Sequence, residues 1–361
     1  MTSPDYLIYA MASGETSQAY AVIRELQKQS IKSLFVLGKP IGDTFLGADK
    51  DLSVKLAPTT NELKNIVERE KPKKIVFFNS KSFRREIDFI FHKPSFLEGI
   101  PCSTLDSNWL FENSQLYPSI RWADQYYVNF PKALFQKGLK ENGGYFSIMP
   151  SVQAKIQPVG FIPSYQRIEK EEIETIRGTL GITPEQKLIF CYFSGYGATA
   201  RYWVFQNLIA ALDILNDPTI RVVYSGDIST IPPELLERPY LLSQKDFTID
   251  GFFKILSASN LIFQHQGLAT MAQGIAAQVP IIANVASYPD EEMPYLHRGE
   301  IEPFEKLGLC RMHERDTSIT AIAETIKKCL YDTQTISEIL NSQIDLYSSG
   351  EKTLIHALEQ F

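Results

Sequence analysis

The chain has 361 residues, 44% of them apolar and 22% charged, with 20 glycines and 20 prolines; at about 150 residues per domain this is room for about two domains with cores of their own, and disordered, collagen-like and low-complexity classes are excluded. Lys and Arg number 36 against 42 Asp and Glu, a net charge of −6, which gives no general attraction to phosphate polymers and argues against a nucleic-acid partner. Cys102, Cys191, Cys310 and Cys329 stand far apart with no CxxC pair, so neither a zinc site nor a disulfide scaffold is expected, and Cys102 and Cys191, inside apolar runs, read as buried free thiols.

In chain order, residues 6–12 read as a strand, 16–29 as a helix, 33–37 and 52–56 as strands, 60–70 as a helix, 74–79 as a strand, 81–92 as a helix, and 100–105 and 124–129 as strands. These strands are apolar on both faces and are separated by helix-length segments, the pattern of a parallel sheet covered on both sides. The first run ends Ala10-Met11-Ala12 but follows Asp5 and no basic leader, so it is read as a strand and not as a signal peptide. No apolar run approaches the ~18 residues of a membrane span, and a soluble, cytoplasmic protein is expected.

Pro158 to Ser164 is a Pro/Gly-punctuated extended segment leading into a charged helix at 168–178. It marks a junction between a first domain, 1–162, and a second, 163–347. The second repeats the first: strand 187–193, helix 201–215, strand 221–224, helix 250–258, strand 260–264, helix 268–278, strand 279–284. Ser348-Ser349-Gly350 then interrupts the pattern, leaving 348–361 as a terminal helix that can pack back on the N-terminal domain. The fold class is α/β, with two Rossmann-like domains and a cleft between them.

Ligands of doubly wound sheets bind at the carboxyl ends of the strands, so the turns after strands carry the chemistry. The richest runs from Asn260 to Pro280. A strand delivers His265 to its tip, Gly267 allows close backbone approach, and a helix opens with unpaired N–H groups and the positive end of its dipole outward, an arrangement that favours a diphosphate. Ser194-Gly195-Tyr196-Gly197 again places glycines between a strand and a helix, with Arg201 within reach of an anion.

The spacing of His265, Gly267, Thr270 and Val279-Pro280 resembles the donor-binding segment of nucleotide-sugar glycosyltransferases of the GT-B superfamily, in the UDP-glycosyltransferase and lipid-linked N-acetylglucosaminyl transferase branches. The resemblance implies that His265 and the amides near Thr270 bind the diphosphate of a UDP-sugar. Gln273 stands where the family carries a ribose-binding Glu, a departure that leaves the nucleotide open. Asp290 and Glu291 are the nearest match to the acidic residue and Gln that hold the donor sugar, and Ser194, Gly195, Gly197 and Arg201 resemble the glycine-rich loop of the donor domain. A nucleoside-diphosphate sugar is implied as co-substrate, with no other cofactor and no metal.

In the first domain the family places a histidine base after the first strand, which is absent here. Ser13 and Gly14 occupy that turn as acceptor-binding candidates, and Glu15 is the titratable residue available as general base; helix capping is its alternative role. The segment from Ile100 to Trp109 resembles the acceptor pocket of the cell-wall branch, which makes Asp106 a second candidate base and Asn108 a further acceptor contact. Lys81, Arg84 and Arg85 among Phe83, Phe89 and Phe91 read as a solvated basic face, with attraction of an anionic lipid or acceptor as the alternative. His313 falls in a charged, surface-like run.

The expected activity is thus an inverting, metal-independent hexosyl transfer to a small-molecule, peptide or lipid-linked acceptor. Two alternatives stay open: a non-catalytic nucleotide-sugar-binding or activator protein, and an NAD(P)-dependent oxidoreductase, since Gly195-x-Gly197-x-x-Ala200 with Asp227 after the next strand also fits a dinucleotide fingerprint.

Overall fold

The computed structural model describes residues 3–10, 13–39, 52–78, 92–106, 122–132, 135, 155–162, 168–193, 198–226, 231–242, 248–265, 267–285, 298–332, 338–339, 342 and 349–361, without the side chains at 13, 14, 198–201, 268, 298–300 and 303. It divides into two compact units, one formed by Met1–Ser164 with Leu346–Phe361 and the other by Tyr165–Asp345.

In the first unit the order is β1 (Tyr6–Ala10), α1 (Ser13–Lys28), β2 (Ser33–Leu37), β3 (Val54–Leu56), α2 (Thr60–Glu70), β4 (Lys74–Phe78), β5 (Cys102–Asp106), β6 (Gln125–Val128) and β7 (Ile156–Pro158). The second unit has α3 (Lys170–Thr179), β8 (Lys187–Tyr192), α4 (Ala198–Leu215), β9 (Ile220–Ser225), α5 (Pro233–Leu236), β10 (Leu241–Leu242), α6 (Ile249–Ala258), β11 (Leu261–His265), α7 (Leu268–Ala276), β12 (Ile281–Val285), α8 (Arg298–Lys306), β13 (Arg311–Glu314) and α9 (Ile319–Tyr331). The terminal helix is α10 (Gly350–Glu359).

All strand pairs are parallel, in the orders β3-β2-β1-β4-β5-β6-β7 and β10-β9-β8-β11-β12-β13. Both sheets therefore begin in the middle, build to one side, and return to build the other, the doubly wound order with a switch point between β1 and β4 and between β8 and β11. Burial follows: every residue of β1, β5, β11 and β12 is buried, because helices cover both faces. In the first unit α1 packs Ala19, Val22, Ile23 and Leu26 on one face with Tyr127 and Leu105, while α2 packs Leu63, Ile66 and Val67 on the other with Tyr9, Phe77 and Cys102. α2 starts where it does because Thr59 and Glu62 form a capping box.

The terminal helix belongs to the α1 face, where Leu354, Ile355 and Leu358 join the core. Lys74 Nζ donates to the Leu358 carbonyl at 2.6 Å, a cation at the negative end of the helix. Its first residue crosses the chain at 160–162. Gly160 adopts φ +93°, and a Cβ on Gly350 would lie 2.1 Å from the Phe161 carbonyl oxygen. Buried Asn129 pins the same segment, donating to Ile162 O at 3.0 Å and accepting from Ile162 N at 2.5 Å.

Several elements exceed the sequence reading: β7, α5, β10, α8, β13 and α9 are additional, and α1 begins at Ser13 instead of residue 16. His313 lies in β13, a half-buried strand, with its Nε2 buried; the run is charged because β13 is an edge strand, paired on one side among the described residues.

In the second unit Gly274 sets how closely α7 approaches the sheet. A Cβ there would meet Ile262 Cδ1 at 2.6 Å and Ile281 Cδ1 at 2.8 Å. Two glycine substitutions separate backbone from side-chain obstacles. Gly350→Ala is expected to cost about 3 kcal/mol of stability, since the obstacle is main chain, and Gly274→Ala about 1 kcal/mol, since isoleucine methyls can turn aside. Urea denaturation of both variants measures this; the opposite ranking would contradict the packing described.

Candidate functional site

The switch point of the second sheet separates the turn after β8, which leads to α4, from the turn after β11, which leads to α7. A notch opens at such a divergence. His265 is the last residue of β11 and is 5% exposed. Its ring stacks on Tyr192 at the tip of β8, centroids 5.1 Å apart and planes at 33°, and Tyr192 meets the edge of Phe252 on α6 at 5.3 Å. One face of the imidazole is thus walled by aromatic rings.

Gly267 is the N-cap of α7, extended at φ −176°, and no side chain caps the helix. Neither conformation nor space demands a glycine there: a Cβ would reach His265 Cε1 at an ordinary 3.6 Å. The glycine instead places no side chain of its own beside the imidazole and the first amides of α7. Nine residues of aligned peptide dipoles point their positive end at that spot. Gln264 Nε2 donates to Gly267 O at 3.3 Å, tying the turn to the strand, and Asn284 Nδ2 donates to Gln264 O at 2.9 Å from the neighbouring strand. Thr270 and Gln273, one helical turn apart, are 5% and 2% exposed. Gln273 Oε1 is buried with no hydrogen-bond partner among the described residues, an acceptor held ready.

The glycine-rich loop lies between β8 and α4, a strand–turn–helix setting, but Ser194, Gly195 and Gly197 fall outside the described residues, as does the side chain of Arg201 in the first turn of α4. Asp227, Asp290, Glu291 and Asn108 also lie outside them, with the basic segment at 81–91.

At the carboxyl edge of the first sheet, Ser13 and Gly14 are in the first turn of α1, together with half-buried Glu15 at the positive end of the helix. Asp106 ends β5 at 2% exposure and accepts a short hydrogen bond from the Tyr126 hydroxyl on β6. Strand alternation puts Asp106 on the Cys102 face, which α2 covers, whereas Glu15 belongs to α1 on the opposite face. The two candidate bases are therefore presented separately.

Other reactive groups are quiet. Burial pushes the Cys102 thiol up to about 12 and Cys329 to about 11, with Cys191 and Cys310 raised as well, so they are thiols at neutral pH. Among the described residues no group of three or more His, Cys, Asp and Glu is placed to hold a metal, and no helix is long and apolar enough to cross a membrane. Sequence reasoning passed over Tyr192, Gln264 and Asn284. Their signal was the polar residue at the carboxyl end of an otherwise apolar strand.

No protein-family model and no curated protein sequence matches the chain. Solved structures do. MurG of Acinetobacter baumannii superposes with TM-score 0.60 at 13% identity, over 99% of this chain and 100% of that one. The glycosyltransferase SnogD from Streptomyces nogalater gives 0.66 at 12%, over 99% and 100%. A putative UDP-N-acetylglucosamine 2-epimerase from Listeria monocytogenes gives 0.62 at 13%, over 98% and 94%. With two doubly wound parallel sheets in series and a likeness that runs the length of these proteins, the chain has the GT-B fold.

Proposed function

We propose that the chain is a glycosyltransferase that takes a hexosyl group from a UDP-sugar and passes it to a hydroxyl or amine of a small-molecule, peptide or lipid-linked acceptor, with inversion and without a metal ion. The observation that carries this reading is His265 at the tip of β11 beside the uncapped, glycine-preceded N-terminus of α7. Breaking a bond between an anomeric carbon and a diphosphate places new negative charge on the leaving oxygen. Fixed N–H donors and a helix dipole stabilise that charge without reorganising as it forms. The likeness to glycosyltransferases such as MurG and SnogD supports the assignment.

In this reading the second unit holds the donor and the first the acceptor. Gln273 accepts from a ribose hydroxyl through its unpartnered Oε1. Ser194, Gly195, Gly197 and Arg201 close on the diphosphate from the β8 side, and Asp290 and Glu291 take sugar hydroxyls. Inversion requires the acceptor atom to attack the anomeric carbon opposite the leaving diphosphate, with a base on the acceptor side. Glu15 and Asp106 are the candidates, and Ser13, Gly14 and Asn108 position the acceptor. Asp106 already receives the Tyr126 hydroxyl. The same engagement, with no histidine in the first turn, favours a second reading in which the protein binds a nucleotide sugar without turning it over.

Incubation with a panel of UDP-sugars and candidate acceptors, followed by mass spectrometry, separates the readings. UDP release with a new glycoside supports transfer. Thermal stabilisation by a UDP-sugar without product supports the binding protein, while a changed sugar still joined to UDP identifies an epimerase. Stabilisation by NAD or NADP alone returns the dehydrogenase reading. For the transferase, His265→Ala is expected to lower kcat/KM by about 10²- to 10³-fold, the loss that follows removal of one donor to a developing oxyanion, with circular dichroism unchanged. Undiminished turnover would remove the donor-site assignment.

A further inference from the structure

His265 at the end of β11, and Asn284 and His313 one residue before the ends of β12 and β13, form one line. The ladders pair His265 with Asn284 and Asn284 with His313. In-register residues of parallel neighbours share a face, and by alternation from Ile282 the positions of Asn284 and His313 are on the face covered by α4 and α9, while the His265 ring, at the very end of its strand, leans to Tyr192. Asn284 is fully buried, and its nitrogen donates to Gln264 O at 2.9 Å. That bond fixes which end of the amide is oxygen, because a carbonyl accepts only from N–H. Asn284 Oδ1 is left buried with no partner among the described residues, and so is His313 Nε2. Burial lowers the His313 pKa, so the ring is neutral at pH 7.

A buried acceptor without a partner costs about 1–3 kcal/mol, and such groups in native proteins mark an ordered water or a ligand. We propose that Asn284 and His313 extend the site sideways from His265 and recognise a neutral, hydroxyl-bearing group, the sugar carried by the diphosphate. The inference rests on the nucleotide-sugar reading of the β11 seat. The composition of the row selects the ligand class. An amide oxygen repels phosphate oxygens and accepts from O–H, and a neutral imidazole adds no charge. Two neutral groups without a carboxylate are too few to hold a hard cation. The spacing agrees: adjacent strands lie about 4.8 Å apart, so the row covers about 10 Å outward from the imidazole, the reach of one pyranose ring attached to the phosphate that His265 and α7 hold.

Calorimetric titration with UDP, UDP-glucose, UDP-galactose and UDP-N-acetylglucosamine tests this on the full chain. His313→Phe keeps the ring shape on a half-buried edge strand and removes both nitrogens. It is expected to weaken the best-bound UDP-sugar by about five- to tenfold, the worth of one hydrogen bond in a buried site, and to leave UDP unchanged. His313→Gln restores a polar atom near the Nε2 position and is expected to recover most of the loss. Asn284→Leu is expected to act in the same sense where it folds. Equal weakening of UDP and UDP-sugar, or no change in either, overturns the inference and leaves the diphosphate seat standing. Wild-type protein that binds none of the four probes overturns that seat and the inference with it.

Discussion

Parallel pairing governs what else this molecule can be. When all strands of a sheet run one way, each must be reached by a crossover, every strand ends on the same edge, and both faces are covered by the helices that make the return. Side chains along the central strands are then mostly apolar, with Ser103 and Thr104 of β5 as buried exceptions. Polar chemistry concentrates at the tips, where the ladder runs out and backbone groups lose their partners. Asp106, Gln264, His265, Asn284 and His313 are all at or next to such tips.

A tip residue becomes useful only if something brings an oppositely polarised group to it, and in the second unit that something is α7. Gly274 lets this helix lie against Ile262 and Ile281 at a distance no other residue would permit without rearrangement, and Gly267 caps it without a side chain of its own. The two glycines thus have different physical roles, one dictated by packing and one by access. In the first unit the start of α1 differs: Thr16 and Gln18 are buried, and the first turn carries the acidic Glu15, a group better suited to an incoming hydroxyl than to an anion.

Much of this is legible in the sequence. Two αβ series with doubly apolar strands dictate parallel sheets, and the run from Leu261 to Pro280 announces its strand–turn–helix plainly. Elements outside the apolar pattern were not legible. β13 carries Arg311, His313 and Glu314 because it is an edge strand. The α9 segment did carry a readable cue, Ser318 followed by buried Ile322, Ala323, Ile326, Cys329 and Leu330 at helical spacing. The hydrogen bond between Asp106 and Tyr126 could not be read at all, since it joins residues 20 apart in sequence through strand order, which local pattern does not encode. The stacking of Tyr192 on His265 was hidden for the same reason.

The crossing of Gly160 and Gly350 makes the second unit an insertion within the first. The polypeptide leaves the first unit and re-enters it at nearly the same point, and the helix that re-enters seals one side of the older core. Its three buried aliphatic residues contribute about 1.5–3 kcal/mol each, a large part of the about 5–15 kcal/mol that holds an ordinary domain folded. During synthesis, therefore, the host is completed after its insert: the inserted unit, translated ahead of α10, can close while its host still lacks the wall that Leu354, Ile355 and Leu358 supply.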